Sequence, residues 1–492
     1  MPYRARLLRL SSSVALAPLF LVACQRPHAC HADCESGLVA GESGSASAGR
    51  ASLEPAAQAV GADAQETDPQ REQEPALAEL GSAAALAAFD QAWQKIHDTH
   101  FDKTFNGVDW DAVKSDLRPR AERAQSSAEV RAVIEDMLAR LGQSHFALIP
   151  SDALPDQAGA HDQAGGLGFD VRWRDGRLLV ATLDPEGHAA EAGVKLGWSV
   201  QRIDAFDVPA TLAHMQSAAE ELGERKLAFQ LWARAQGELL GAVGSRATVA
   251  LLDDEDRPLS LELERRARDV TVHAVGSTLP TFYLEFRSEI LARGAQKIGL
   301  IRFSNWFLPV MQPIDAAVER LRACDGLVID LRGNTGGAGA MAMGVAGHFF
   351  AESRKLGVMI TRDSTVNFLA IPRRVNPAGE LVEPFAGPLA ILVDETTAST
   401  SEVFAGGLQA LGRARIVGET TAGAVLPAMT TRLPNGDSML HALGDFETST
   451  GVRLEGVGVV PDQVVVLGQA ELLAGRDAAL EAALAWITAQ KD

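Results

Sequence analysis

The spacing of apolar residues changes several times along this chain, and each change predicts a different kind of structure. A short apolar run from about Val14 to Leu21 follows Arg4 and Arg6 and ends in Leu21-Val-Ala-Cys24. From Gln25 to about Leu80 large apolar side chains are scarce among Ala, Glu, Gln, Gly and Ser, too scarce to bury the surface that ordering requires. Between Ala84 and about Ile149, residues such as Phe89, Trp93 and Ile96 recur at helical spacing, which predicts a helical region with those residues in its core. Extended stretches follow at Arg177–Leu183 and Val200–Asp207. An Ala- and Leu-rich, partly helical segment then runs from about Gln216 to Val243, before strands around Thr248 to Leu263. From about Val270, strands such as Ile298–Phe303, Leu327–Leu331 and Leu389–Val393 alternate with helices such as Met311–Arg322 and Ser401–Leu411, which is an α/β pattern. Asp477–Ala489 reads as a closing amphipathic helix that packs its Leu and Trp486 positions on the core.

The 492 residues exceed one hydrophobic core, and 47% hydrophobic with 22% charged residues is the composition of a soluble multidomain globule, so three folded units are expected. A net charge of −19 argues against nucleic acid as a partner and against nonspecific attraction to anionic lipid. There is no repeat array, no phosphate-cradling loop and no metal-ligand cluster with proper spacing. The amino terminus, with its basic residues, apolar run and small residues directly before Cys24, looks like a bacterial lipoprotein signal. That likeness implies cleavage before Cys24, acylation of the cysteine and a membrane anchor; an ordinary secretory peptide cut elsewhere is the alternative. Gln25, in place of the aspartate associated with inner-membrane retention, leans towards the outer membrane, facing the periplasm. Cys30 and Cys34 flank His31 in Cys-His-Ala-Asp-Cys, where a disulfide, free thiols or no function is the default over a metal site. Cys324 precedes a strand and is expected to be a small core residue.

Leu392-Val-Asp-Glu-Thr-Thr-Ala-Ser399-Thr-Ser-Glu-Val-Phe-Ala-Gly-Gly-Leu408 breaks from an apolar strand into a polar turn and resumes at helical spacing. A serine at such a junction faces free backbone N–H groups and the positive end of the helix dipole, where an oxyanion is stabilised. Serine is also a favoured N-cap, so the turn alone leaves both readings open. A nucleophilic serine needs a base. No lysine occurs between Lys355 and Lys491, which excludes a Ser–Lys dyad within that segment. Among eleven histidines, His145 follows Ser144 where a helix ends at Gly142 and an extended segment begins; it is the candidate base, against the reading of a helix-terminal structural histidine.

Leu327-Val-Ile-Asp-Leu-Arg-Gly-Asn-Thr-Gly-Gly337, the Ser399 segment, Val417-Gly-Glu-Thr-Thr-Ala-Gly423 and Leu454-Glu-Gly-Val-Gly-Val-Val-Pro-Asp462 resemble, in order and spacing, the motifs of the C-terminal processing peptidases and tricorn-core proteases. The resemblance extends from about Ala84 to the C-terminus. It implies a serine peptidase on a crotonase-like (ββα) core, a chemistry that needs no metal or cofactor. In the Ser–Lys branch a lysine follows the glycine of the Gly-Glu-x-Thr-x-Gly motif; here Ala424 stands there. In the tricorn-like branch the base is a histidine preceded by a serine, helped by a glutamate shortly before Gly-Val-x-Pro-Asp. Ser144, His145 and Glu455 match those positions. The resemblance thus implies Ser399 as nucleophile, His145 as base, and Glu455 acting through Ser144. The N–H groups of Gly337 and Thr400 would form the oxyanion hole.

Gly166-Leu-Gly-Phe169, the extended Arg177–Leu183, Ala189–Gly197 and Val200–Asp207 resemble a PDZ domain. In that reading the amides of Gly166, Leu167, Gly168 and Phe169 cap a peptide's terminal carboxylate and the adjoining strand pairs with the peptide. The segment from Gln216 to Val243 departs from the compact pattern as a long insertion. The expected organisation is a signal peptide at 1–24, a tether at 25–82, a helical domain carrying the Ser-His turn at 83–155, a PDZ-like domain at 160–268 and a crotonase-like catalytic core at 269–492. The expected activity is an exported, lipid-anchored endopeptidase acting on protein or peptide substrates through their C-terminal tails. The alternatives are an inactive binding module and a PDZ adaptor on the same fold.

Overall fold

The computed structural model describes residues 81–153, 164–218, 224–275 and 278–490. The expectations for Cys24, Cys30, Cys34, the signal segment and the tether lie outside the described residues, except that Gly81 and Ser82, given to the tether, belong to the first helix.

Three helices, Gly81–Thr99, Trp110–Arg123 and Ser127–Ala139, pack around Phe89, Ile96, Leu117, Ile134 and Met137, all fully buried. Side-chain caps fix the starts of two: Asp109 accepts from the Ala112 N–H at 3.0 Å and Ser126 from the Glu129 N–H at 3.2 Å. The third ends just before Gly142, whose φ of +65° turns the chain into Ser144 and His145. The next residues form the strand Ala147–Ile149, which pairs antiparallel with Ser438–Ala442. Leu433 and Met439 complete the helical core, so this layer is stitched to the carboxy-terminal part.

The second layer is mixed α/β. Its main sheet runs in the order Phe286–Arg293, Gln296–Phe303, Gly326–Asp330, Leu389–Val393, Arg415–Gly418, Gln463–Val464, with the first pair antiparallel and the rest parallel. Gly326–Asp330 and Leu389–Val393 are buried at every position, which explains their unbroken apolar runs. One face, through Val328, Ala390, Leu392 and Val417, packs on the helix Ala478–Ala489. The other, through Leu327, Ile329 and Ile391, packs on the helices Leu308–Leu321, Gly339–Ala346 and Thr400–Ala410. Cys324, expected in the core, sits half-buried at its margin.

The stretch expected to be PDZ-like forms an antiparallel sheet in the order Phe169–Arg174, Arg177–Leu183, Ser199–Ile203, Arg246–Leu252, Pro258–Glu264. The segment expected to be partly helical, from Gln216 to Val243, supplies the helix Glu224–Leu239, whose Leu227, Leu231, Trp232, Ala235 and Leu239 join the core of this sheet. Its Ala and Leu positions recur at helical spacing because that face has a sheet to cover.

Candidate active site

Three neighbouring parallel strands end together, and the loops that leave the first two carry Gly337, Ser399 and Thr400, as expected at the carboxyl ends of parallel strands. After Leu389–Val393 the chain makes a tight buried turn and enters the helix Thr400–Ala410 with Ser399 as N-cap. Ser399 is buried and holds φ +53°, ψ −111°, in the left-handed half of conformational space that costs a non-glycine residue on the order of 1 kcal/mol or more. His145 is likewise buried, at φ +62°. Such strain persists only where the surroundings over-determine it, and both residues are so held.

After Gly326–Asp330, the chain reaches Gly337 at φ +144°. A Cβ there would lie 2.4 Å from the Trp306 carbonyl oxygen, so only glycine fits. The Gly337 carbonyl accepts the Thr400 hydroxyl at 2.8 Å, which ties the two expected oxyanion donors into one unit. Asn334 fastens the same turn. Its Oδ1 accepts from the Gly336 N–H and the Ser401 hydroxyl, both at 2.9 Å, and its Nδ2 donates to the Phe303 carbonyl at 2.9 Å.

Ser144, His145 and Glu455 meet although they come from opposite ends of the chain. The Ser144 hydroxyl donates to Glu455 Oε2 at 2.9 Å and lies 2.6 Å from His145 Nδ1, while the Ser144 N–H donates to Glu455 Oε1 at 2.8 Å. A hydroxyl has one proton; given to the carboxylate, it leaves the oxygen to accept from Nδ1–H, which puts the imidazole lone pair on Nε2. Burial pushes the imidazole down to about 3, so it is neutral near pH 7. Burial also raises the Glu455 carboxyl, against the pull of its bonds from Ser144 and from the Val425 N–H at 3.1 Å.

Glu402, Asn334 and Arg225 were missed by sequence reasoning. Glu402 lies fully buried behind Ser399 and accepts the Ser399 N–H at 2.8 Å; the only sequence signal was the Ser-x-x-Glu spacing of a capping box. Arg225, on the helix Glu224–Leu239, donates to the carbonyls of Thr421, Val457 and Gly456 at 2.9, 2.7 and 3.1 Å, beside Glu455. Arg172 and Arg174, from the strand Phe169–Arg174, reach Asp394 at 2.8 Å and Glu395 at 2.6 Å in the nucleophile loop. Burial alone would raise Asp394, but the Arg172 guanidinium beside it and the Thr396 hydroxyl hold it well below the usual carboxylate range.

Gly166, Leu167, Gly168 and Phe169 run from a small three-stranded sheet, which holds Gly166, into the strand that Phe169 opens and that carries Arg172 and Arg174. Gly165–Gly166 pairs with Leu240–Gly241 and Arg266–Ala267, and the Leu167 N–H donates to the Leu239 carbonyl at 3.2 Å. A carboxylate bound there would therefore have to do without the Leu167 amide, contrary to the expectation that all four take part. Phe169–Arg174 is an edge strand with the helix Glu224–Leu239 alongside, bridged by a Trp232 Nε1 bond to Asp170 of 3.2 Å.

Residues 297–465 match the family model described as Peptidase family S41, and residues 83–139 match that of the Tricorn protease C1 domain. The matched residues 297–465 are a peptidase family S41 domain. That match and the processing proteases among the relatives support a serine peptidase. The chain is 26% identical over 428 residues to a carboxyl-terminal-processing protease of Synechocystis sp., covering 84% of this chain and 91% of that one. It is 27% identical over 390 residues to the chloroplastic carboxyl-terminal-processing peptidase 2 of Arabidopsis thaliana, covering 76% and 67%. Among solved structures, a photosystem II D1 C-terminal processing protease shares the fold with a TM-score of 0.53 at 23% identity, over 80% of this chain and 98% of that one.

Proposed function

We propose that this S41 peptidase is an exported, lipid-anchored endopeptidase that works through a Ser-His-Glu site on a crotonase-like core (269–492), with a helical domain at 83–155 and a PDZ-like domain at 160–268. The observation that carries the catalytic type is the hydrogen-bonded series from Glu455 through Ser144 to His145 Nδ1, at 2.9 and 2.6 Å. The residue at the lysine position of the other branch, Ala424, has its amide on the same Glu402 oxygen that holds Ser399, so the branch-defining position adjoins the nucleophile turn. In this reading Ser399 Oγ attacks the peptide carbonyl carbon while His145 Nε2 takes its proton. The oxyanion that forms is met by the N–H groups of Gly337 and Thr400. The Ser399 N–H is engaged by Glu402 and turned away from that role. His145 then returns the proton to the departing amine as the C–N bond breaks, and the acyl ester is hydrolysed by a water that His145 deprotonates in turn. Glu455, through Ser144, holds the tautomer and offsets the imidazolium charge.

The relatives named for C-terminal processing support protein or peptide substrates read through their C-terminal tails. The edge strand Phe169–Arg174 beside a helix is the arrangement that β-augmentation uses, with the Gly168 and Phe169 amides left to meet the carboxylate. Acylation at Cys24 would hold the chain on the cell envelope, facing the periplasm from the outer membrane.

The test is labelling of the full chain, purified in detergent, with a fluorophosphonate, beside Ser399→Ala and His145→Ala. Labelling in the wild type alone is expected. A folded, unlabelled wild type would overturn the reading in favour of a binding module or adaptor.

A further inference from the structure

Glu402 has no exposed surface, and both of its carboxylate oxygens are occupied by donors from two separate stretches of chain. Oε2 accepts the Ser399 N–H at 2.8 Å and the Ala424 N–H at 3.0 Å. Oε1 accepts the Gly423 N–H at 2.8 Å and the Thr421 hydroxyl. In an ordinary capping box the carboxylate reaches only the N-cap amide. Here three of four donors come from 19 to 22 residues further along the chain.

We propose that Glu402 is a positioning residue, whose carboxylate fixes the Ser399 turn against the 421–425 segment and so sets nucleophile and base in register. The proposal rests on the Ser-His reading. Two consecutive amides of that segment are taken by different carboxylates: Ala424 N–H by Glu402 and Val425 N–H by Glu455, the same Glu455 oxygen that receives the Ser144 hydroxyl. The Gly456 N–H closes the circuit onto the Gly423 carbonyl at 2.8 Å. A shift of Glu402 therefore displaces Ser399 on one side and the Glu455–Ser144–His145 relay on the other. Glu402 also keeps the Ser399 backbone at φ +53° by holding its N–H inward, which leaves Thr400 N–H as the helix-terminal donor to an oxyanion. Only a carboxylate suits four converging donors. A glutamine of the same shape presents an NH2 group to two of them.

The full-length chain in detergent provides the test, with the maximal fluorophosphonate labelling rate and the half-saturating probe concentration measured separately. In Glu402→Gln the maximal rate is expected to fall about a hundredfold, the loss of two bonds to a charged group, with the half-saturating concentration within about twofold. Thr421→Val, which removes a donor remote from Ser399, is expected to fall about tenfold, and Thr421→Ser, which restores the hydroxyl, to recover the wild-type rate. Wild-type rates in Glu402→Gln, or a lowered unfolding temperature with the rate unchanged, would reduce Glu402 to fold support and overturn the proposal. Should Glu402→Gln fail to fold, an unchanged rate in Thr421→Val overturns it instead. Absence of labelling in the wild type, or labelling that survives Ser399→Ala, would sink the Ser-His reading and this proposal with it.

Discussion

Where the single hydroxyl proton of Ser144 goes decides whether His145 is a base. With Glu455 ionised the proton points to the carboxylate and Nδ1 keeps its own. With Glu455 protonated the order reverses, Ser144 donates to Nδ1, and the lone pair on Nε2 is lost. Because burial raises Glu455, the labelling rate should fall as pH drops through its pKa, while His145, lowered to about 3, is still neutral. A pH series from 4 to 9 checks this, and Glu455→Gln should be slow and lack that acid limb. Ser144→Ala, which cuts the relay, is expected to lower the maximal rate roughly 10- to 100-fold with little change in probe affinity. Gly337→Ala should cost about a hundredfold or more, since the added Cβ meets the Trp306 carbonyl and drives the oxyanion amide aside. Ser144, His145, Gly337, Ser399 and Glu455 could be put forward from sequence because each lies in a short motif of the family that the chain resembles. Glu402 was not, since three of its four partners are remote and its own spacing reads as a common helix cap.

Among the elements, the strand ends gather charge as well as chemistry. Asp170, Asp394, Glu395 and Glu419 surround only two guanidiniums, Arg172 and Arg174. Burial, with Glu395 adding repulsion, outweighs the Arg174 guanidinium and pushes Glu419 up to about 7. The unfolded carboxyl titrates near 4.5, so between these values the folded protein holds the extra proton and stability falls as pH rises. Glu419→Gln has no proton to lose there. The wild type should therefore lose thermal stability relative to this variant between about pH 5 and pH 7.5 in matched melting curves. Asp330 works the other way. Arg332 and Arg302 overcome its burial and hold it at about 2, so its contribution is present above its unfolded 3.8 and lost as pH falls through 2. The parallel strands were readable because burial on both faces makes them continuous apolar runs. Ala147–Ile149 was readable as extended, but its pairing with Ser438–Ala442 depends on a partner far along the chain that no local pattern names. The role of Glu224–Leu239 was hidden for the same reason: helical spacing shows an apolar face without showing which sheet it covers.

On the scale of the whole molecule, the second sheet and its helix hold the α/β layer by arginines, and one of them reaches the backbone next to Glu455. Arg172 and Arg174 hold the nucleophile loop through carboxylates, whereas Arg225 grips three carbonyls around Glu455. A planar guanidinium serves several acceptors at fixed angles, and a lysine ammonium on the same backbone offers one compact charge without that fork. Arg225→Ala is therefore expected to lower the maximal labelling rate about tenfold, and Arg225→Lys to recover little of it. Arg257→Ala is the control. Arg257 is largely exposed and pairs with Asp253 within the second sheet itself, so its loss should leave the rate unchanged. If Arg225→Ala labels at the wild-type rate while Ser144→Ala does not, the relay holds its geometry unaided and the second sheet only rests on the catalytic layer. A loss in both would make the helix Glu224–Leu239 and its sheet part of what holds the proposed Glu455–Ser144–His145 relay in place. Any peptide that displaced the helix Glu224–Leu239 from its edge strand would then change the rate from a distance, through Arg225.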